Sequence, residues 1–437
     1  MSLELLTILL FGCGLIALAS GAPIAFGLGS VGLIFSWIFW GSASVLHIVM
    51  SAWATMNNFL LIAVPLFVLM ANVLTTSRVS EDLYTAMHHW MGPLRGGLEV
   101  GTITICAIFA AMSGISAVGV VTMGLIALPE MLKRKHDKYL ALGAIAAGGA
   151  LGVLIPPSII MVVYGSITGV SVGKLFMGGV FPGILLAVIY IIYAVILSYL
   201  RPEVSLPVPK DEILPFRERL LLLKGILAPG LLIILVLGVI YFGVCTPTEA
   251  AGIGAIGAII LSAIGGRLTW KNAQEAAAKT FRITCMVVWI IIGVSVFTHL
   301  YEGMGAVDQI GRSVLEFEVN RWIIIAIMQL ILFFLGCFLD PMGILMITIP
   351  IFNPIVVKLG FDPIWFGIVV VMNMEMAYLT PPFGFNLFYL KGVVPPEISM
   401  KMIYRAVVPF IALQAFGLFI VCVFPDLALW LPGRMMR

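Results

Sequence analysis

Residues 149–165 read GALGVLIPPSIIMVVYG. The stretch is apolar enough for a lipid interior, yet Pro156 and Pro157 stand side by side in its middle. A proline inside a helix removes an N–H, crowds the preceding turn and costs about 3 kcal/mol or more. Backbone groups freed at membrane depth are costly unless something satisfies them. Such a break persists only where protein or a polar cavity surrounds it. The stretch therefore predicts an interrupted helix held inside a bundle.

The rest of the chain fits a membrane setting. Of 437 residues, 62% are hydrophobic and 10% charged, whereas soluble domains are nearer half apolar and a quarter charged. Candidate spans cover 2–20, 22–40, 58–77, 98–133, 138–168, 175–200, 222–243, 249–265, 283–301, 321–358, 362–391 and 406–430, and a run of about 20 apolar residues crosses the hydrocarbon core. No stretch reads as a large soluble domain. The N-terminal segment lacks a basic region before its apolar run, so it reads as a first membrane helix rather than a cleaved signal peptide. The six cysteines form no CxxC pair or His/Cys cluster and read as small buried apolar residues.

Two spans are too long for one crossing. Residues 98–133 are interrupted by SGISAVG at 113–119, and 321–358 by GCFLDPMG at 336–343. Each half is short for a full crossing, which fits a re-entrant helical hairpin with a glycine-rich tip. Each hairpin precedes a span broken by a proline pair, IPP at 155–157 and TPP at 380–382. The chain reads as two copies of one hairpin-plus-broken-helix unit, a common build for secondary transporters.

Charge bears on their orientation. If both hairpins leave the membrane on the side they entered, 18 of the 24 Lys and Arg fall on one side. That side, with Lys133, Arg134, Lys135 and the polar connection 201–224, is then cytoplasmic. The second hairpin enters from outside, flanked by Glu302, Asp308, Glu316 and Glu318. The units are then inverted, with both termini outside. The basic stretch 267–282 is expected to lie along the membrane surface.

Four breaks near the midplane would offer free carbonyls to cations and half-helix N-termini, each with about half a positive charge, to anions. Ion and carboxylate binding then needs few charged side chains. Asp340, directly before Pro341, reads as a cation ligand and equally as a helix N-cap. Ser113, Ser116, Ser158, Thr380 and Asn386 offer further oxygens, with structural hydrogen bonds as the competing role. Glu249 in Thr246–Pro247–Thr248–Glu249 reads as part of a capping box. Glu375 is read either as a polar group near the second break or as half of a salt bridge. His88, His89, His136 and His299 have no ligand spacing and read as interfacial or structural.

The segments GALGVLIPPSIIMVVYG, TPTEAAGIGA, LGCFLDPMGILMITIPIF and LTPPFGFNLFYLKG, in this order, resemble the large membrane subunit (DctM-type permease) of tripartite ATP-independent periplasmic (TRAP) transporters. The resemblance implies an all-α polytopic membrane protein with inverted repeats and an elevator-type ion transporter fold. It implies sodium-driven uptake of organic anions, no cofactor beyond the coupling sodium ions, a small four-helix membrane subunit and a periplasmic substrate-binding protein, with no nucleic-acid partner. The first sodium site would draw on Ser113, Gly114, Ser116 and the backbone at Pro156. The second would draw on Gly336, Asp340, Thr380 and Pro381. Ser116, Ser158 and Asn386 are the expected substrate contacts. Ile115 replaces a serine that many relatives carry, which points away from sialic acid and toward a dicarboxylate or 2-oxo acid.

The expected division is scaffold 1–79, transport unit 80–175, scaffold 176–304, transport unit 305–392 and a C-terminal scaffold helix 393–437. Two other readings are an intramembrane serine-type hydrolase and a channel. The first is weak in the sequence, because GISAVG is not GxSxG, no histidine is placed as a base and HExxH is absent.

Overall fold

The computed structural model describes residues 3–77, 79–306 and 319–435. Arg78, Arg312, Arg437 and the acidic flank Asp308, Glu316 and Glu318 lie outside the described residues. Every regular element among the described residues is helical. Eight helical stretches there are long and apolar enough to cross a membrane.

The chain opens with α1 (Leu3–Ala19), α2 (Ile24–Trp40), α3 (Ala43–Met56) and α4 (Ala63–Thr76), then α5 (Val79–Met91). The first hairpin is α6 (Gly97–Ser113) and α7 (Ser116–Lys133). The first broken helix is α8 (Lys138–Ala150), a 3-10 turn at Leu151–Val153, and α9 (Ile159–Thr168). Then come α10 (Val172–Leu200), α11 (Phe216–Leu222), α12 (Lys224–Tyr241), α13 (Pro247–Ile264) and α14 (Trp270–Gly303). The second hairpin is α15 (Arg321–Gly336) and α16 (Pro341–Lys358), and the second broken helix α17 (Pro363–Leu379) and α18 (Phe385–Lys391). The described chain ends in α19 (Met400–Val423) and α20 (Asp426–Gly433).

Short polar residues start these helices by supplying an acceptor for the first orphan N–H groups. Asp137 Oδ1 accepts from Leu140 N–H at 2.9 Å to start α8, and Asp362 Oδ1 accepts from Ile364 N–H at 2.7 Å to start α17. The capping box at α13 is complete: Thr246 Oγ1 accepts from Glu249 N–H, and Glu249 Oε2 accepts from Thr246 N–H.

Three features differ from the sequence expectation. Residues 267–282 do not form a separate surface segment, because α14 runs unbroken for 34 residues, about 51 Å at 1.5 Å per residue. No glycine or proline interrupts Trp270 to Ile292, so the basic start continues the axis of the apolar part. The helix α3 was not among the expected spans; at 14 residues it is too short for a crossing. The final span divides into α19 and α20 at Phe424–Pro425.

Packing sorts the helices into two groups. α2 and α4 pack on α13 and α14, with α1, α3 and α12 against them. The first hairpin and both broken helices pack with α10 and α19, with α19 on α8 and α17 and α10 on α6, α9 and α20, and the second hairpin joins them through α9 and α17. The expected scaffold stretches 176–304 and 393–437 thus each contain a helix that packs with the hairpin units. The groups meet chiefly where α14 touches α16 and α4 touches α6.

The open end of each hairpin lies beside the far end of the other repeat's broken helix. Leu132, Lys135 and His136, at the base of the first, share a pocket with Pro395 and Ile398, beyond the second broken helix. The Tyr164 hydroxyl near the end of α9 donates to Pro363 O at 3.0 Å, beside the base of the second.

Candidate functional site

The first hairpin tip is tighter than the sequence suggests. Only Gly114 and Ile115 lie outside the helices, because Ser116–Gly119 already belongs to α7. Gly114 ends α6 with φ +61°, and a Cβ there would sit 2.1 Å from the carbonyl oxygen of Pro157. The tip therefore presses backbone to backbone against the IPP break, and only glycine allows both the dihedral and the approach. Ser113, Gly114, Ser116 and Pro156 are all buried here. Ser113 Oγ donates to Phe109 O at 2.8 Å.

The second tip meets the second break in the same way. Phe383 N–H, just after the TPP break, donates to Cys337 O at 3.3 Å. A Cβ on Gly336 would lie 2.3 Å from Ala377 Cβ. Thr380 is buried and its hydroxyl donates to Met376 O at 2.8 Å. Asp340 Oδ2 accepts from Met342 N–H at 2.9 Å, with Pro341 as the first helical residue. The capping role of Asp340 is thus real. The expected members of each sodium site are brought to one junction apiece. The second junction is the more open: Phe338, Pro382 and Phe383 are exposed, whereas Ile155 is the only partly exposed residue in 151–160.

A side-chain pair ties the junctions together. The Ser116 hydroxyl donates to Asn386 Oδ1, and Asn386 Nδ2 donates to Ala146 O at 3.1 Å. One contact thus joins α7, α18 and α8, drawn from both repeats. Ser158 is apart from this pair; its hydroxyl donates to Val153 O across the first break, while its oxygen caps α9. Both Asn386 and Ser116 are buried. Replacing Ser116 with alanine strands the Asn386 acceptor, so Ser116→Ala is expected to destabilise the protein by about 1–3 kcal/mol, read as a lower melting temperature in detergent.

Glu375 is fully buried on α17, and no salt bridge involves it among the described residues. It stands two residues from Ala377, which touches the tip, and two residues turn a helix by about 200°. It therefore points away from the second junction, toward Gln414 on α19 and the Tyr190 hydroxyl on α10. The sequence also gave no weight to Asn373, whose Nδ2 donates to the Gln329 backbone carbonyl and to Oε1, both at 2.8 Å. A polar residue on each of two apolar spans was its only signal.

A helical membrane chain with two hairpin tips seated on two broken helices has the build of a permease of the secondary-transporter class. The family model described as "Tripartite ATP-independent periplasmic transporter, DctM component" matches residues 11–427, and the chain belongs to this family. The C4-dicarboxylate TRAP transporter large permease protein DctM of Vibrio cholerae is 33% identical, over 100% of this chain and 98% of that protein. The sialic acid TRAP transporter large permease protein SiaM of the same organism is 28% identical, over 95% of this chain and 96% of that one. Its fold is like that of the solved YdaH transporter of Alcanivorax borkumensis, with TM-score 0.63 at 12% identity over 90% of each chain. The relatives are permease components, so the hydrolase reading is set aside and the chain is not an enzyme.

Proposed function

We propose that the chain carries a small organic acid across the bacterial inner membrane, driven by sodium, after delivery by a periplasmic binding protein. A small four-helix membrane subunit completes the assembly. The observation behind this reading is the pair of tip-on-break junctions, Gly114 on Pro157 and Cys337 on Phe383. Each gathers backbone carbonyls and hydroxyl oxygens at a helix interruption, the chemistry that replaces a small cation's hydration shell. Asp340 supplies negative charge at the second. Ser116 and Asn386, now bonded to each other, face the substrate when their bond opens. Ser158 joins them from the other side of the first break.

The placement of the hairpin ends supports an inverted repeat, and the Lys/Arg partition supports both termini outside. The moving block consists of α6–α10 and α15–α20, and the support of α1–α4 and α12–α14. This follows the packing of α10 and α19, which adds them to the expected units 80–175 and 305–392, and it leaves α5 at the boundary between block and support. Relatives carry different substrates by name, so the choice of acid is set by side chains near the tips. Ile115 favours a less hydroxylated acid, such as a dicarboxylate or 2-oxo acid.

Bound sodium stabilises the folded protein by about 1.4 kcal/mol at ten times its dissociation constant. The purified permease is expected to melt at higher temperature in sodium chloride than in choline chloride at equal ionic strength. Equal melting in both, and in lithium or potassium chloride, would remove the sodium sites.

A further inference from the structure

Three buried polar side chains meet at the base of the first hairpin, far from either junction. Glu99 sits in the first turn of α6, His136 in the α7–α8 loop and Ser205 in the connection that leaves α10. None is more than 4% exposed. His136 Nδ1 is 2.7 Å from Glu99 Oε1, and His136 Nε2 is 3.0 Å from Leu206 O. The Ser205 hydroxyl donates to Glu99 Oε2 at 2.8 Å and lies 3.1 Å from His136 Nδ1.

Both imidazole nitrogens face oxygen atoms, Nδ1 toward the Glu99 carboxyl and Nε2 toward the Leu206 carbonyl. A serine, a histidine and an acid in contact suggest nucleophilic chemistry. The order is wrong for it, because the serine hydroxyl donates to the carboxylate and the imidazole is held by a backbone carbonyl.

What the cluster does is fasten chain to chain. Around it, Asp137 N–H donates to Val204 O at 2.7 Å and Val208 N–H to Gly92 O at 2.8 Å. Arg134 at the end of α7 pairs with Glu212. Further along, the attachments continue on α5. Trp90 Nε1 on α5 donates to Arg219 O at 3.1 Å, and Asp82 on α5 pairs at 2.7 Å with Arg267, just beyond α13.

We propose that Glu99, His136 and Ser205 form a latch that makes the first part of the inter-repeat connection, residues 201–209, travel with the first hairpin. The inference rests on the elevator reading. The connection joins a moving helix, α10, to a supporting one, α12, and must flex somewhere. The latch excludes flexing next to α10 and moves it further along the connection, toward α12. Glu99, His136 and Ser205 are positioning residues: they touch no ion or substrate and set which segment moves.

Three spin-label distances test this on the permease reconstituted with its partner subunit, with native cysteines replaced. Labels go at Leu206→Cys in the connection, Leu125→Cys on α7 and Ile264→Cys at the end of α13, all exposed side chains. Between sodium and choline buffers, the 125–264 and 206–264 distributions are expected to shift together while 206–125 keeps its position and width. A 206–125 shift with 206–264 unmoved overturns the latch and leaves the elevator standing. An unmoved 125–264 distance overturns the elevator, and the latch with it. His136→Phe removes every imidazole contact and is expected to broaden 206–125, while Ser205→Thr keeps it narrow. An unchanged width in His136→Phe also counts against the latch. If His136→Phe does not fold, the three wild-type distances decide.

Discussion

Replacing Gly114 with alanine is expected to lower uptake about tenfold or more, a change of at least ~1.4 kcal/mol in a binding or conformational equilibrium. A Cβ at this position would stand 2.1 Å from Pro157 O. Contact with a backbone carbonyl cannot be relieved by rotating a side chain. The left-handed dihedral adds about 1–2 kcal/mol for any L-residue. Either the tip lifts off the break or the break shifts, and both separate the carbonyls proposed to hold the first cation. Gly12→Ala on α1, where no atom lies within 4 Å of the added carbon, is the control and should transport normally. Membrane insertion and monodispersity, measured in parallel, separate loss of transport from loss of folding. Normal uptake by a well-folded Gly114→Ala protein would show that the close tip–break contact is not needed.

The second large effect is expected from Asp340→Asn. Asparagine caps helices as well as aspartate does, so the bond to Met342 N–H and the start of α16 are retained. What is lost is the charge. A unit charge about 4 Å from a cation contributes ~4 kcal/mol at an effective dielectric near 20. Even a fraction of that raises the sodium concentration for half-maximal uptake by tenfold or more, while maximal uptake at saturating sodium falls much less. Asp340→Ala removes cap and charge together, and the added loss of about 0.5–2 kcal/mol should appear as a lower melting temperature. An unchanged sodium dependence in Asp340→Asn would leave this residue with its capping role alone.

Much of the architecture was legible because the bilayer permits few backbone arrangements. Unsatisfied peptide groups are so costly in lipid that a proline pair or a glycine-rich interruption in an apolar run has one main explanation. That reasoning located both hairpins, both breaks, Asp340 and Thr380, while Gly114, Pro156 and Gly336 came from the resemblance to the permease family. It failed where the solvent gives no signal. Lipid and protein interior are equally apolar, so the sequence of α10 or α19 does not say which neighbours it packs on. The continuity of α14 was missed because its basic start resembles a surface segment in charge, while nothing in it breaks a helix. Glu375 was assigned by proximity along the chain, yet rotation around α17 decides its neighbours. The Ser116–Asn386 bond and the Glu99–His136–Ser205 cluster join residues distant in sequence, and only the folded chain brings them together.

The account turns on whether ions at the two junctions drive movement of an organic acid. The most direct measurement uses liposomes holding the permease with its partner subunit, with the periplasmic binding protein outside. Uptake of a labelled acid, chosen by screening the binding protein, is followed with and without an inward sodium gradient. The account predicts accumulation above the outside concentration only with the gradient, abolished by a sodium ionophore and reduced in Gly114→Ala. Accumulation of the same extent in sodium-free medium would contradict it.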